Sequence, residues 1–329
     1  MIEKPSIPDE RIISALEEKY SIHAIGVESL PLGWDAASWA YRVDAENDGY
    51  FLKIRKELPN PAGIMLPRFL KEQGMEQVMA PLSSEKGKAW EKVDDFYFIL
   101  YPFIANQQVM DVGMSDAHWV EFGSLLKRLH TMKLPPEILS EIKCERFVPP
   151  RLEWIKAIHA QVKTYKFGDL FQKELGEFWL ENYSTISEIL QRTEALVKRM
   201  QGTNVEFVPC HGDVHTGNLL ITKDGKISIV DWEDTRLAPK ERDLMFLPGD
   251  VGARGEELFF KGYGEPEIDP LTQAYYRHHW CVEDMGFAEH IFTEENVGEK
   301  TQRDAIWWFK NLFSEGNSVD TALNTEIEM

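Results

Sequence analysis

The densest group of polar residues lies in one short segment, Cys210–Leu220, between apolar stretches. Asp213 and Asn218 stand five residues apart in it, and Asp231 ends the next apolar run. If the residues between them form a hairpin, two carboxylates and one amide oxygen can meet at one point. These are hard oxygen ligands of the kind that suits Mg²⁺, which binds one or two carboxylates together with phosphate oxygens and water. The pattern also leaves Asp213 free to face an incoming hydroxyl group.

Other interpretations of this segment stay open on spacing alone. The simplest is a pair of turns capped by Asx side chains. A zinc site on His211 and His215 is disfavoured, because the glycines between and after them oppose the helix that such a pair needs. A glycosidase pair of Asp213 and Asp231 fits the spacing, but it leaves Asn218 and a candidate strand lysine without roles.

The first hundred residues have the alternating pattern of an antiparallel sheet after one opening helix, Glu10–Lys19. The turn Asn47–Gly49 predicts a hairpin, because its residues tolerate positive φ, and it places Lys53 within the third strand, which pairs with the second. A proline-rich stretch, Pro59–Pro67, leads into a short helix that ends near Gly74. The predicted strands are Ile25–Leu32, Trp39–Val43, Tyr50–Ile54 and Phe96–Tyr101.

The remainder of the chain is mainly helical in pattern. Ser115 and Asp116 can cap a helix whose apolar residues recur at helical spacing. The polar, acidic tail after Gly316 is expected to fray. Three short strands interrupt the helices, at Val205–Cys210, Leu219–Ile221 and Ile227–Val230.

Composition limits the possible partners. The 329 residues include 36 basic and 55 acidic ones, for a net charge of −19, which disfavours nucleic acid and anionic membranes and favours cationic small molecules. Cys144, Cys210 and Cys281 form no CxxC pair and are expected to be reduced and buried. An apolar leader and any run of 18 apolar residues are both missing, so we expect a cytoplasmic protein, either a monomer or a weak dimer.

The polar segment also carries a family resemblance. His211–Asn218 together with Ile229–Trp232 resembles the catalytic signature of the aminoglycoside phosphotransferase family. Phe51–Lys53 is similar to the strand that bears the ATP lysine, Tyr101–Ile104 to the hinge between lobes, and Phe122–His130 to the first large-lobe helix. Further segments resemble the spectinomycin phosphotransferase branch: Leu237–Phe246, Gly262–Gly264, Tyr275–His278 and Val282–Asp284.

This resemblance implies an α+β, two-lobed protein-kinase-like fold. Residues 1–104 would form a small antiparallel-sheet lobe that binds nucleotide and ends at the hinge, and residues 105–329 a larger, mainly helical lobe that binds substrate. Asp213 would accept or orient the proton of the acceptor hydroxyl, while Asn218 and Asp231 would hold Mg²⁺ on ATP. Lys53 would hold the α and β phosphates. The remaining implied nucleotide contacts are Gly33 and Ser38 in the covering loop and Tyr101 and Phe103 at the hinge.

One feature departs from kinase-like folds, in which a helix acid pairs with the strand lysine. The stretch Pro59–Leu70, where that helix should begin, contains neither Asp nor Glu. Glu57 and Glu72 flank it. Either one of them reaches Lys53, or the phosphates alone hold the lysine.

The implied activity is ATP- and Mg²⁺-dependent phosphorylation of a hydroxyl on a small cationic molecule, an aminocyclitol antibiotic such as spectinomycin, which would confer resistance. The alternatives are a metabolic kinase for choline, homoserine or a sugar, and a non-catalytic pseudokinase, which the complete set of catalytic residues disfavours. No Asp-Phe-Gly to Ala-Pro-Glu segment follows Asp231, which argues against a protein kinase. The candidate substrate contacts are His278, Trp280, Glu283 and Asp284.

Overall fold

The computed structural model describes residues 5–30, 38–46, 48–104, 106–247, 252–293 and 297–326. The fold is two-lobed and α+β, as predicted. The first lobe is built on an antiparallel sheet with strand order β1-β2-β3-β5-β4. Its elements are α1 (Asp9–Tyr20), β1 (Ala24–Leu30), β2 (Ser38–Ala45), β3 (Gly49–Arg55), α2 (Ala62–Glu72), β4 (Glu91–Val93) and β5 (Phe96–Pro102).

The register of this sheet places Lys53 on the face opposite to the lobe's core. Leu52 and Ile54 are fully buried among the apolar residues that pack on α1. Since successive side chains of a strand point to opposite faces, Lys53 lies on the other side, between Ala40 and Ile99 of the neighbouring strands. Strands β1, β2, β3 and β5 confirm the four strands predicted for this region, except that residues 31 and 32 of the first prediction lie outside the described residues. The predicted turn residue Asn47 lies outside the described residues.

The second lobe is mainly helical and includes two small sheets, with strand orders β10-β9-β6 and β7-β11-β8. Its first elements are β6 (Asn106–Gln108), α3 (Val109–Val112), α4 (Asp116–Thr131), α5 (Pro136–Leu139), β7 (Lys143–Cys144), α6 (Leu152–Gln161), α7 (Leu170–Glu181), α8 (Tyr183–Met200) and β8 (Val208–Cys210). The rest are β9 (Leu219–Thr222), β10 (Ile227–Ile229), β11 (Arg236–Ala238), α9 (Glu241–Leu244), α10 (Gly252–Tyr263), α11 (Pro270–Asp284), α12 (Glu289–Phe292), α13 (Glu299–Asn311) and α14 (Ser318–Leu323).

Helix α4 begins where the sequence predicts. The Ser115 side chain accepts a hydrogen bond from the backbone of His118, and the His118 ring accepts one from the backbone of Ser115. The helix then packs against α10 at unusually short distance. A Cβ atom added to Gly123 would lie 2.0 Å from the carbonyl oxygen of Phe259, and one added to Gly262 would lie 1.9 Å from that of Val120.

Two expectations about the chain are wrong. The tail after Gly316 does not fray over its described part, because α14 buries Val319 and Ala322 in the large-lobe core. Cys144 is exposed on the short strand β7, whereas the other two cysteines are buried as expected. No described helix has both the length and the apolar character needed to cross a membrane.

Candidate active site

The hairpin formed by β9 and β10 brings Asn218 and Asp231 to one end. Leu219 pairs with Ile229, and just beyond that pair the backbone N–H of Val230 donates to the carbonyl of Asn218 at 3.0 Å. Asp231 then turns the chain with φ of 61°, in the left-handed region that Asp tolerates better than most residues. The folded hairpin therefore places the two predicted metal ligands beside each other.

Asp213 joins them through the amide of Asn218. Nδ2 of Asn218 donates to the backbone carbonyl of Asp213 at 2.8 Å and to its Oδ2 atom at 3.1 Å. This leaves Oδ1 of Asn218 as the atom that could bind a metal ion. A carboxylate on Asp231 and an amide oxygen on Asn218 are donors that Mg²⁺ prefers, so the residues present fit a magnesium–nucleotide complex.

Two histidines set the charge state of Asp213. His215 Nδ1 accepts from the backbone of Gly217 at 3.0 Å, which directs Nε2 toward Oδ2 of Asp213, 3.6 Å away. His211 accepts from the backbone N–H of Asp213 at 3.2 Å. Burial by itself raises the pKa of Asp213, but His215, His211 and Arg242 outweigh it and hold the pKa below its usual value. Asp213 is therefore ionised at neutral pH.

The loop that carries Asp213 is anchored from below by a buried carboxylate. Asp243 accepts from the backbone N–H groups of His211 at 2.9 Å and Gly212 at 2.8 Å, and from Nε2 of His130 at 3.0 Å. Nε of Arg242 donates to the Gly212 carbonyl at 2.7 Å. His130, Cys210 and Asp243 are close enough to suggest a metal site, but these hydrogen bonds already occupy both carboxylate oxygens. The cluster fixes the loop.

Lys53 reaches the same cleft from the first lobe. Its Nζ lies 3.4 Å from Oδ1 of Asp231 and 2.6 Å from Oε1 of Glu233. Burial works to lower the pKa of Lys53, yet the two carboxylates outweigh it and the pKa is raised. Neither acid considered from the sequence, Glu57 or Glu72, is the partner, since both are exposed and the short turn after β10 supplies the carboxylate instead.

The hinge residues lie at the end of β5. Tyr101 pairs with Phe51 across the sheet. The backbone N–H of Phe103 donates to the carbonyl of Gly49 at 3.0 Å, so this donor is already used by the sheet. Ser38 begins β2, opposite Arg55. Gly33, the other covering-loop residue predicted from the sequence, lies outside the described residues.

A cavity of about 750 Å³ opens beside Asp213 and His215. Trp280, Glu283 and Asp284 line it from helix α11, as the sequence suggested. Its other described lining residues are Lys56, Pro150, Arg151, Asp234, Arg236, Arg242, Met245, His279, Gly286, Phe287, Glu289 and His290.

His278 does not line this cavity, which corrects one of the four candidate substrate contacts. Its side chain is fully buried and its Nδ1 donates to the carbonyl of Ala274 at 2.9 Å. At about 100° per residue, position 278 lies on the far side of α11 from Trp280. His279 occupies the cavity side instead.

The charges around the cavity are partly paired with each other. Oε1 of Glu283 accepts from the backbone of Arg151 at 3.0 Å, and the guanidinium of Arg151 lies 3.3 Å from Oε2. Burial raises the pKa of Asp284 to about 7. Sequence patterns do not identify Arg151, which lies far from every motif, or Arg236, which lies between two of them; only the fold brings both to the cavity.

Comparisons with known proteins identify the family and the fold of the chain. Residues 26–278 match the family described as "Phosphotransferase enzyme family". The chain is 22% identical to "Protein StrN" of Streptomyces griseus over 321 residues, 93% of this chain and 94% of that protein. The crystal structure of spectinomycin phosphotransferase APH(9)-Ia with ADP and spectinomycin superposes with a TM-score of 0.90 at 27% identity, covering 98% of this chain and 99% of that one.

More distant structures share the fold. The choline kinase LicA from Streptococcus pneumoniae superposes with a TM-score of 0.56 at 15% identity, covering 92% of this chain and 98% of that one. The resemblance to aminoglycoside phosphotransferases drawn from the sequence is thus confirmed. Because the family match covers residues 26–278, well over half of the chain, this chain belongs to the phosphotransferase enzyme family and is an ATP-dependent phosphotransferase that acts on hydroxyl groups.

Proposed function

We propose that this enzyme phosphorylates a hydroxyl group of a small cationic aminocyclitol, with spectinomycin as the first candidate, and thereby confers resistance to it. The observation that carries the proposal is the cavity of about 750 Å³ that opens directly beside Asp213. Spectinomycin phosphotransferase, 27% identical over nearly the whole chain, supports the choice of substrate.

The nucleotide side of the cleft is assigned to residues of both lobes. Asn218 and Asp231 would hold Mg²⁺, and Lys53 would hold the α and β phosphates. When bound, ATP would supply the phosphoryl group and Mg²⁺ would neutralise part of the charge on its phosphates. Tyr101, Phe103, Ser38 and Gly33 remain the proposed contacts of the nucleotide at the hinge and in the covering loop.

Asp213 holds the acceptor hydroxyl in line for transfer. Its carboxylate is ionised, because His215 and Arg242 lower its pKa, and it can therefore accept a hydrogen bond from the hydroxyl. A carboxylate with a lowered pKa is a weak base, so its main contribution is orientation. It would take the hydroxyl proton as the acceptor oxygen bonds to the γ-phosphorus, while the bond from that phosphorus to the β–γ bridging oxygen breaks and ADP leaves. The amide of Asn218 donates to Oδ2 of Asp213 at 3.1 Å and Nε2 of His215 lies 3.6 Å from the same oxygen, so both contacts favour this position of the carboxylate.

The acceptor is recognised by the α11 side of the cavity. Trp280 offers an aromatic face to apolar ring carbons, or to an ammonium group. Glu283 and Asp284 supply carboxylates, but Arg151 already pairs with Glu283. Asp284 is therefore the carboxylate we assign to a substrate ammonium group.

An acceptor panel tests the proposal. Purified enzyme with ATP and Mg²⁺ is offered spectinomycin, kanamycin, choline and homoserine, and each product is examined by mass spectrometry for the added phosphoryl group. We expect spectinomycin to be modified fastest. Transfer to choline or homoserine with none to spectinomycin would establish a metabolic alcohol kinase in its place.

A further inference from the structure

We infer that Glu233 does the work that a helix carboxylate does in other kinase-like folds: it positions the ammonium group of Lys53 for the nucleotide phosphates. Glu233 is a positioning residue, since it acts through Lys53. The inference deepens the proposed function and rests on its assignment of Lys53 to the phosphates.

Helix α2 cannot supply this carboxylate. Its one acid, Glu72, is exposed at its carboxyl end. The beginning of the helix instead touches the backbone of the turn after β10. A Cβ atom added to Gly63 would lie 2.5 Å from the carbonyl oxygen of Trp232, and Nδ2 of Asn60 donates to the carbonyl of Glu233 at 2.9 Å. The helix therefore contacts the turn that bears Glu233, through backbone and amide groups.

Glu233 meets two cations of strand β3. Oε1 lies 2.6 Å from Nζ of Lys53, and Oε2 accepts from Nη1 of Arg55. Lys53 and Arg55 are two residues apart, so their side chains share one face of the strand. The exposed fractions are 19% for Lys53, 14% for Arg55 and 31% for Glu233. Solvent therefore screens the attraction between these charges less than it would at an open surface. Arg55 thus fixes one oxygen of the carboxylate while the other faces the lysine.

The second carboxylate near Lys53 has another task. Asp231 lies 3.4 Å from Nζ, but it is also the proposed ligand of Mg²⁺. When Asp231 binds the metal ion, Glu233 remains as the anionic partner that keeps the ammonium group at the phosphates. Because Glu233 follows Asp231 by two residues, one turn holds both the metal ligand and the partner of the lysine.

The test compares Glu233→Gln with Glu72→Gln, which removes the acid of helix α2 and serves as the matched control. Glu233→Gln should raise the KM for ATP by about tenfold, with a smaller change in the KM for the acceptor, because the loss is confined to the nucleotide side. Glu233→Asp, which keeps the charge and the fold, should restore part of the loss. Glu72→Gln should behave as the wild type.

A second readout needs neither nucleotide nor turnover. The rate at which Lys53 is acylated by an amine-reactive reagent is followed by peptide mass spectrometry in the nucleotide-free protein. Removing the Glu233 carboxylate frees Nζ of Lys53 from its 2.6 Å contact and exposes it to the reagent, so labelling should accelerate several-fold in Glu233→Gln and less in Glu233→Asp. Unchanged labelling in both Glu233 variants, or equal acceleration in Glu72→Gln, would overturn the inference.

The role of Glu233 and the choice of substrate can be refuted separately. If the wild type modifies spectinomycin while both Glu233 variants match it in KM for ATP, the role of Glu233 is refuted and the proposed function stands. If no acceptor is phosphorylated but labelling of Lys53 rises in Glu233→Gln, the contact is supported and the proposed substrate is refuted.

Discussion

Asp231 combines a left-handed backbone with a carboxylate that faces both Lys53 and the proposed metal ion. Asp231→Asn keeps a side chain that tolerates this backbone, so it removes charge with little strain. We predict that the variant loses most of the enhancement that Mg²⁺ gives to ADP binding, and that high Mg²⁺ recovers part of it. Calorimetric titration of ADP at several Mg²⁺ concentrations measures this. An unchanged Mg²⁺ dependence would remove Asp231 from the metal site.

Asp284 should make acceptor binding depend on pH. Burial raises its pKa to about 7, so the carboxylate that attracts a cationic acceptor forms only as the pH rises through neutrality. Between about pH 6 and about pH 8 the ionised fraction rises from about a tenth to about nine tenths, and the KM for the acceptor should fall by up to about tenfold. Steady-state kinetics should show this fall in the wild type and its loss in Asp284→Asn. A fall of equal size in both proteins would exclude Asp284 as its source.

The pH dependence of folding stability provides an independent test of Asp284. The pKa of this acid is raised on folding, so the folded state binds the extra proton and stability decreases as the pH rises from about 4 to about 7. Asp284→Asn should therefore raise the Tm relative to the wild type at pH above about 7 more than at about pH 5. Thermal unfolding at both pH values gives the comparison, and an equal effect at both would contradict the raised pKa of Asp284.

At the residue scale, sequence spacing predicts contacts between residues that are close together in the chain, and it misses contacts between residues that are far apart. Asp213, Asn218 and Asp231 are found because a single hairpin joins them and their ligand types limit the chemistry. The partner of Lys53 is not found, because Glu233 is 180 positions away and only the packing of the two lobes brings them together. Sequence spacing also does not show which side of α11 faces the cavity, so it predicts His278 where the structure places His279.

At the scale of elements, the catalytic loop depends on the contact between α4 and α10. His130 on α4 forms one hydrogen bond with Tyr263 on α10 and another with Asp243, which holds the loop. Gly123→Ala would push a methyl group into the carbonyl of Phe259. We predict a loss of about 1–3 kcal/mol in the free energy of unfolding, measured by chemical denaturation.

Gly26→Ala provides the control for that substitution. A Cβ atom at Gly26 would have no neighbour within 4 Å, so its stability should change little. If Gly123→Ala were as harmless as Gly26→Ala, the close approach of the two helices would be refuted.

Helices and strands are predicted correctly where their apolar pattern extends over many residues. They are missed where a short strand forms only because it pairs with a distant one. The cap and apolar period of α4 specify that helix locally. Strand β7 is only two residues long and exists because it pairs with β11, more than ninety positions later. Most residues after Gly316 are polar, so composition predicts a frayed end. The structure instead packs α14 against the large-lobe core through two buried apolar residues, Val319 and Ala322.

At the scale of the whole molecule, the net charge of −19 should act on encounter with the acceptor. A cationic acceptor is attracted and an anionic nucleotide repelled, and salt screens both effects. Raising the ionic strength should lower kcat/KM for the acceptor, whereas kcat/KM for ATP should stay unchanged or increase. Initial rates over a salt series measure this, and parallel changes for both substrates would contradict electrostatic steering.

The division of the chain at residue 104 remains a prediction from the family resemblance. The first sheet ends at Pro102, and β6, at Asn106–Gln108, already pairs with β9 in the second lobe. Composition and periodicity alone give a sheet followed by helices. The kinase-like arrangement is predicted only through the motif, because no local sequence pattern indicates that two lobes pack around one cleft.

The central claim is that Asp213 directs phosphate from the nucleotide cleft to a hydroxyl in the adjoining cavity. The most direct measurement is single-turnover transfer from ATP labelled in its γ-phosphate to spectinomycin, comparing the wild type with Asp213→Asn. We predict labelled spectinomycin from the wild type, a rate at least about 10²-fold lower in the variant, and nearly equal ATP affinity in both. Equal transfer rates, or a variant that fails only because it no longer binds ATP, would contradict this claim.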